Sequence, residues 1–363
     1  MFIKGDTIVN LSCSILNHFG AEGTGNPTMA VVDKLLEDNY KNVVVLLMDA
    51  MGKEILESNL SEEGFLRSHI VDTYSTVYPP TTVAAVTSYD SGLYPNQHGW
   101  LGWVCYYKQL DKNVTVFRNT DENGEIAADF DTARTFYPYC SIDEKIKKEG
   151  IDTYEVSFCG DIKPDTPQEL FEGIGTLCKK EGRKYIYAYI NKPDETMHKT
   201  GTHSEETKAV LRDIENSFEK LCGELEDTII IVTADHGQVN PKCISITDYP
   251  KITECLKRNP SIEARTLNLF IKDGMKEQFI SEFNKEFGDK YRLYDKDQVI
   301  KEGIFGPGNN VKNFEDLLGD YVAIAVSDLA IFNSEEYRDK FIGVHAGFTK
   351  EELEIPLIVY RTK

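Results

Sequence analysis

No apolar run in this 363-residue chain approaches the ~18 residues that mark a membrane-spanning helix. The amino-terminal stretch MFIKGDTIVNLSCSILNHFG likewise has no continuous apolar core of the kind a signal peptide carries. Positive charge is scarce: 40 Lys and Arg stand against 60 Asp and Glu, a net −20. That balance excludes a protein whose main work is gripping a phosphate backbone, which needs a basic face. It leaves small anionic substrates open, because a bound cation reverses the local field. The eight cysteines are scattered with no C-x-x-C pair, so they read as reduced thiols and the expected location is cytoplasmic. Internal repeats and low-complexity tracts are missing too.

What the chain does have is 41% hydrophobic residues, enough for a substantial α/β core. Three short β-branched runs, 42–49 (NVVVLLMD), 184–190 (KYIYAYI) and 228–235 (TIIIVTAD), have the composition of strands buried on both faces. Between the last two, Val210, Ile214, Phe218, Leu221 and Leu225 form one stripe of a helix, with Thr202 and Glu205 as its expected capping box. Strand, helix, strand in this order predicts a largely parallel central sheet covered by helices on both faces. Residues 252–330 read as a smaller α+β lobe inserted before a last core strand, 355–360. The core is then 1–251 and 331–363, with a secondary aromatic-rich insertion at about 100–139.

Functional groups in such sheets gather at the carboxyl ends of strands, and Asp49, Asp194 and Asp235 each end or closely follow one of the three runs. In KPDETMH, Asp194 and His198 are four residues apart, a helical spacing that suits a zinc-like ion, although an N-cap and a surface histidine have the same spacing. In TADHG, Asp235 and His236 can reach one ion only if the chain turns sharply, which Gly237 permits. His345 lies between two glycines, Gly343 and Gly347, in GVHAG. Three carboxylates and three imidazoles exceed one tetrahedral ion but suffice for two. Two threonines, Thr81 and Thr82, follow Tyr78–Pro80 at a helix start, where backbone N–H groups favour a phosphate and a metal can activate a hydroxyl.

The motifs LLMDAMG, YPPTTVAAVTSYDSGLYPNQHG, YINKPDETMH, VTADHGQ and GVHAGFTKEELEIPLIV, in this order over 46–359, resemble the alkaline phosphatase superfamily, specifically its nucleotide pyrophosphatase/phosphodiesterase branch. The resemblance implies an alkaline phosphatase-like fold and two divalent metal ions, zinc in most relatives, with manganese as an alternative. It implies one ion held by Asp49, Asp235, His236 and the nucleophile, and the other by Asp194, His198 and His345. The nucleophile, ten residues before Gly92, is Thr82; Thr81 is left as an N-cap. Thr81 has a second expected place, as a group that supports the site from behind the ligands. In the substrate pocket, Tyr189 matches a family tyrosine, whereas Val83 replaces an aromatic and Trp103 an asparagine. Trp100, Trp103, Tyr106 and Tyr107 are expected either to wall the leaving group or to pack a core.

The implied activity is hydrolysis of phosphodiester or phosphoanhydride bonds in a small phosphorylated molecule through a threonyl-phosphate. The alternatives are phosphonoacetate hydrolase-like or phosphomonoesterase chemistry, and a non-enzymatic metal-binding protein. A nucleic-acid polymer or a membrane is not an expected partner, and a homo-oligomer is compatible with the acidic surface.

Overall fold

A computed structural model describes residue 3 and residues 5–362. Its central sheet has six strands in the order Ile70–Ser75, Glu354–Thr362, Thr228–Ala234, Asn42–Met48, Lys184–Ile190, Asp152–Val156. The three runs legible in the sequence are its middle. Asn42–Met48 lies between the other two, parallel to both, with Met48 level with Ile190 and Ala234. All seven of its residues are buried, because neighbouring strands occupy both edges and helices flank the sheet. Glu354–Thr362 runs antiparallel to its neighbours.

The helix after Asp194 spans Glu205–Cys222 and buries Leu211, Ile214, Phe218 and Leu221. Its cap differs from the expected one. Ser204 is the N-cap and accepts from the Thr207 amide, while Thr202 lies in the preceding turn. Ser204 has the same capping chemistry and sits where the chain actually enters the helix.

The two insertions are not separate. Val104–Tyr107, Lys112–Thr115 and Thr120–Asp121 join Ser261–Glu263, Thr266–Leu269, Tyr321–Ala325 and Tyr291–Asp295 in one antiparallel seven-stranded sheet. Trp100 and Tyr107 are buried in the hydrophobic cluster beneath it, so most of the aromatic group is core. No helix among the described residues is long and apolar enough to cross a membrane.

Candidate metal and phosphate site

The strand register brings Asp49 and Asp235 side by side just past their strands. The Asp49 amide donates to the Ile190 carbonyl at 3.1 Å, and the Asp194 amide donates to the Asp49 carbonyl at 3.1 Å. Asp194 opens the helix Asp194–Thr200, which places His198 one turn on, with Nε2 3.2 Å from Asp194 Oδ2. Asp235 Oδ1 accepts from the amides of Ala50 and His236, both at 2.9 Å. These bonds fix its carboxylate and leave Oδ2 facing inward.

Each histidine is aimed by a backbone carbonyl on its Nδ1 side. His198 Nδ1 is 2.7 Å from Gly343 O, His236 Nδ1 3.0 Å from Gly237 O, and His345 Nδ1 3.2 Å from Pro80 O. His198 Nδ1 also lies 3.0 Å from the Gln238 side-chain amide nitrogen, whereas His236 and His345, donating from Nδ1, present a bare Nε2 lone pair. His236 Nε2 faces Asp49 Oδ1 and Asp235 Oδ2, each at 3.5 Å. His345 Nε2 lies 3.9 Å from Asp194 Oδ1. Lone pairs facing carboxylate oxygens repel unless a cation lies between them. Asp194 Oδ1 and Asp235 Oδ2 are moreover buried with no hydrogen-bond partner. The donor set, nitrogen and oxygen only, fits divalent ions such as zinc or manganese.

Two groups have ligand atoms close enough for one ion each: Asp49, Asp235 and His236, and Asp194, His236 and His345. His236 therefore stands between the two, and His198 reaches the second through Asp194. Burial, with Asp235 and Asp194 beside it, pushes the Asp49 carboxyl well above its usual range. Burial works against the charge of Asp194 too, but His198, with Nε2 3.2 Å away, holds its carboxyl below the usual range. Burial and the neighbouring His236 push His345 well down. Carboxylates so close together cannot all stay charged without compensating cations.

Thr82 begins the helix Thr82–Ser91, and its Oγ1 lies 3.3 Å from His236 Nε2 and 3.5 Å from Asp49 Oδ1. The amides of Thr82, Val83 and Ala84 donate to no acceptor among the described residues. Thr81 is the N-cap in position, but its hydroxyl makes no cap bond and instead donates to Glu263 Oε1 at 2.6 Å. Glu263 belongs to the second sheet, 182 positions away, and no spacing or motif marks it in the sequence.

The three substrate-side residues fall in different surroundings. Val83 is fully buried in the hydrophobic cluster under the lobe. Tyr189 is 8% exposed, its hydroxyl donates to Asp49 Oδ2, and its ring meets the exposed Phe158 edge-on at 6.2 Å. Trp103 is half-buried, and its amide donates to Glu263 Oε1 at 2.9 Å. Lys53 and Lys192, close in sequence to the ligands, pair with Glu354 and Glu195 at the surface.

The fold is shared with solved structures. Murine ectonucleotide pyrophosphatase/phosphodiesterase 5 superposes with a TM-score of 0.67 at 17% identity, covering 87% of each chain. An inactive variant of that protein in complex with AMP gives 0.66 at 16% identity, again over 87% of each chain. Phosphonoacetate hydrolase from Sinorhizobium meliloti, in complex with phosphonoacetate, gives 0.65 at 15% identity over 88% of this chain and 90% of its own. Among curated proteins, none matches the sequence significantly. Residues 43–348, which include every carboxylate and imidazole of the site and Thr82, match the family model of type I phosphodiesterase/nucleotide pyrophosphatase, and the chain belongs to that family.

Proposed function

We propose that the protein is a two-metal hydrolase of phosphodiester or phosphoanhydride bonds in small molecules, with Thr82 as the nucleophile. The observation that carries this reading is the place of the Thr82 hydroxyl: at a helix start with open amides, between Asp49 and His236. Two divalent ions held by Asp49, Asp235, His236, Asp194, His198 and His345 supply, when bound, the charge that neutralises the phosphate and acidifies the Thr82 hydroxyl. The chain's own residues do the rest. Thr82 Oγ1 forms a bond to phosphorus as the bond to the leaving oxygen breaks, giving a threonyl-phosphate. Water then cleaves that ester and restores the hydroxyl. The amides of Thr82, Val83 and Ala84 point along the helix axis to where non-bridging oxygens gain charge. All eight cysteines are free thiols, which supports a reducing, cytoplasmic setting.

A second reading, phosphonoacetate-type hydrolysis, is favoured by the nearly equal overlap with the phosphonoacetate hydrolase. Hydrolysis of bis(p-nitrophenyl) phosphate, p-nitrophenyl phosphate, a dinucleotide and phosphonoacetate, each with zinc and with manganese, separates the two readings. Thr82→Ala is expected to lower kcat on the preferred substrate by roughly 10³-fold or more. Activity that survives the substitution overturns the covalent route.

A further inference from the structure

Among the described residues, Glu263 is the one carboxylate of the lobe hydrogen-bonded to the cap of the Thr82 helix. Burial pushes its carboxyl above the usual range, against the pull of the Thr81 hydroxyl and the Trp103 amide. Both donors converge on the same oxygen, Oε1, at 2.6 and 2.9 Å. The residue before it, Ile262, holds φ at +77°, in the left-handed region that a β-branched side chain rarely enters. Such strain persists only where the surrounding structure imposes it, and here it accompanies the delivery of one side chain.

What that side chain does is visible at Thr81. A threonine at an N-cap, with extended backbone (φ −144°, ψ 148°), ordinarily turns its oxygen onto the amides at the second or third helical position. Those amides belong to Val83 and Ala84. Here the hydroxyl is drawn outward to Glu263, and both amides, with that of Thr82, have no acceptor among the described residues.

We propose that Glu263 is a positioning residue of the inserted lobe: by holding the Thr81 hydroxyl off the helix cap, it keeps the first-turn amides of the Thr82 helix open to the substrate's phosphate oxygens. Trp103, held to the same oxygen, fixes the distance between the lobe's first strand and the helix. The inference rests on the phosphate-hydrolase reading, and it assigns the lobe a part in the reaction that the metal ligands alone do not give it.

The test uses the full-length, zinc-loaded protein and two probes, inorganic phosphate for binding and bis(p-nitrophenyl) phosphate for turnover. In Glu263→Ala the Thr81 hydroxyl is free to swing back onto the helix. Phosphate then binds roughly tenfold more weakly and kcat/KM falls by roughly 10²-fold. The zinc content stays unchanged, and Tm moves little, because the helix gains its cap while the Trp103 amide loses its acceptor. Glu263→Gln, whose amide oxygen still accepts from Thr81, recovers most of the loss. Adding Thr81→Val to Glu263→Ala removes the competing hydroxyl and restores phosphate binding in part, which no loss of general structure would do. Glu263→Ala with wild-type phosphate affinity overturns the inference, as does a double variant no better than the single one. A wild-type protein that binds phosphate but turns over no phosphoester overturns the hydrolase reading and leaves the binding comparison standing.

Discussion

At the scale of single residues, the site is built by hydrogen bonds that its ligand atoms do not make. His236 and His345 spend Nδ1 on backbone carbonyls, and His198 sets its Nδ1 against the Gly343 carbonyl and the Gln238 side-chain amide, so the chain around the site fixes the orientation of all three rings. His18, by contrast, is bound to its neighbour through the nitrogen it leaves unprotonated: Arg183 Nη2 donates to His18 Nε2 at 2.7 Å. Burial first, and then the Arg183 guanidinium, push its imidazole down from 6.5 to about 4. The unfolded chain therefore takes up this proton at a higher pH than the folded one. The resulting contribution to stability is fully present above pH 6.5 and is lost as pH falls toward about 4. His18→Gln keeps an acceptor for Arg183 without a titrating ring. Its Tm is expected to fall less than that of the wild type when thermal unfolding is followed from neutral pH into that window.

At the scale of elements, the active end of the sheet depends on two turns that nearly touch. A Cβ on Gly52 would stand 2.6 Å from Gly237 Cα, and a Cβ on Gly237 would run into the Glu351 carbonyl oxygen. Gly237→Ala must push apart the loops that carry His236 and His345. The expected cost is about 1–3 kcal/mol in urea unfolding, with a fall in zinc affinity. At Gly223, just past the Glu205–Cys222 helix, an added Cβ meets only the Lys220 and Glu219 carbonyl oxygens, at 3.5 and 3.8 Å, and φ is −69°. Gly223→Ala is therefore expected to be neutral or to stabilise by about 0.4–1 kcal/mol. The same elements show what a sequence can disclose. The central strands were legible because burial on both faces leaves an unbroken apolar run, and each ends at a carboxylate or is closely followed by one. Gly237 was legible as a turn because two adjacent side chains, Asp235 and His236, can face the same point only where the chain bends sharply. The pairing of Val104 with Ile262, which fuses two insertions into one sheet, leaves no local mark, since a strand's composition does not name its partner. Glu263 was hidden for the same reason: an acidic residue in a short strand acquires its role only when that strand docks beside Thr81.

At the scale of the whole molecule, the lobe and the core are joined through the loops that hold the ligands. Thr266 Oγ1 donates to Ala346 O at 2.6 Å, one residue past His345, and lies within hydrogen-bond reach of the Tyr78 hydroxyl in the turn before Thr82. Beside it, Arg265 and Glu352 form a fully buried two-bond ion pair at 2.7 and 2.8 Å. Glu352 also accepts from the Gly347 amide and the Thr349 hydroxyl, and its carbonyl accepts from the Gly237 amide. One carboxylate thus orders the segment after His345 and, through its own main chain, the turn after His236. A buried pair of this kind adds little stability over an apolar pair of the same shape, but breaking it leaves a charge stranded. Arg265→Met is therefore expected to cost about 3–5 kcal/mol in urea unfolding. The variant should also bind zinc more weakly, because the His345 loop loses its anchor. Adding Glu352→Leu removes the stranded charge and should recover part of the stability. Full recovery is not expected, since the Gly347 amide then has no acceptor. Zinc affinity should stay low in both variants. If affinity returns with stability, the pair only holds the fold together; if it stays lost, the lobe is what holds His345 in place.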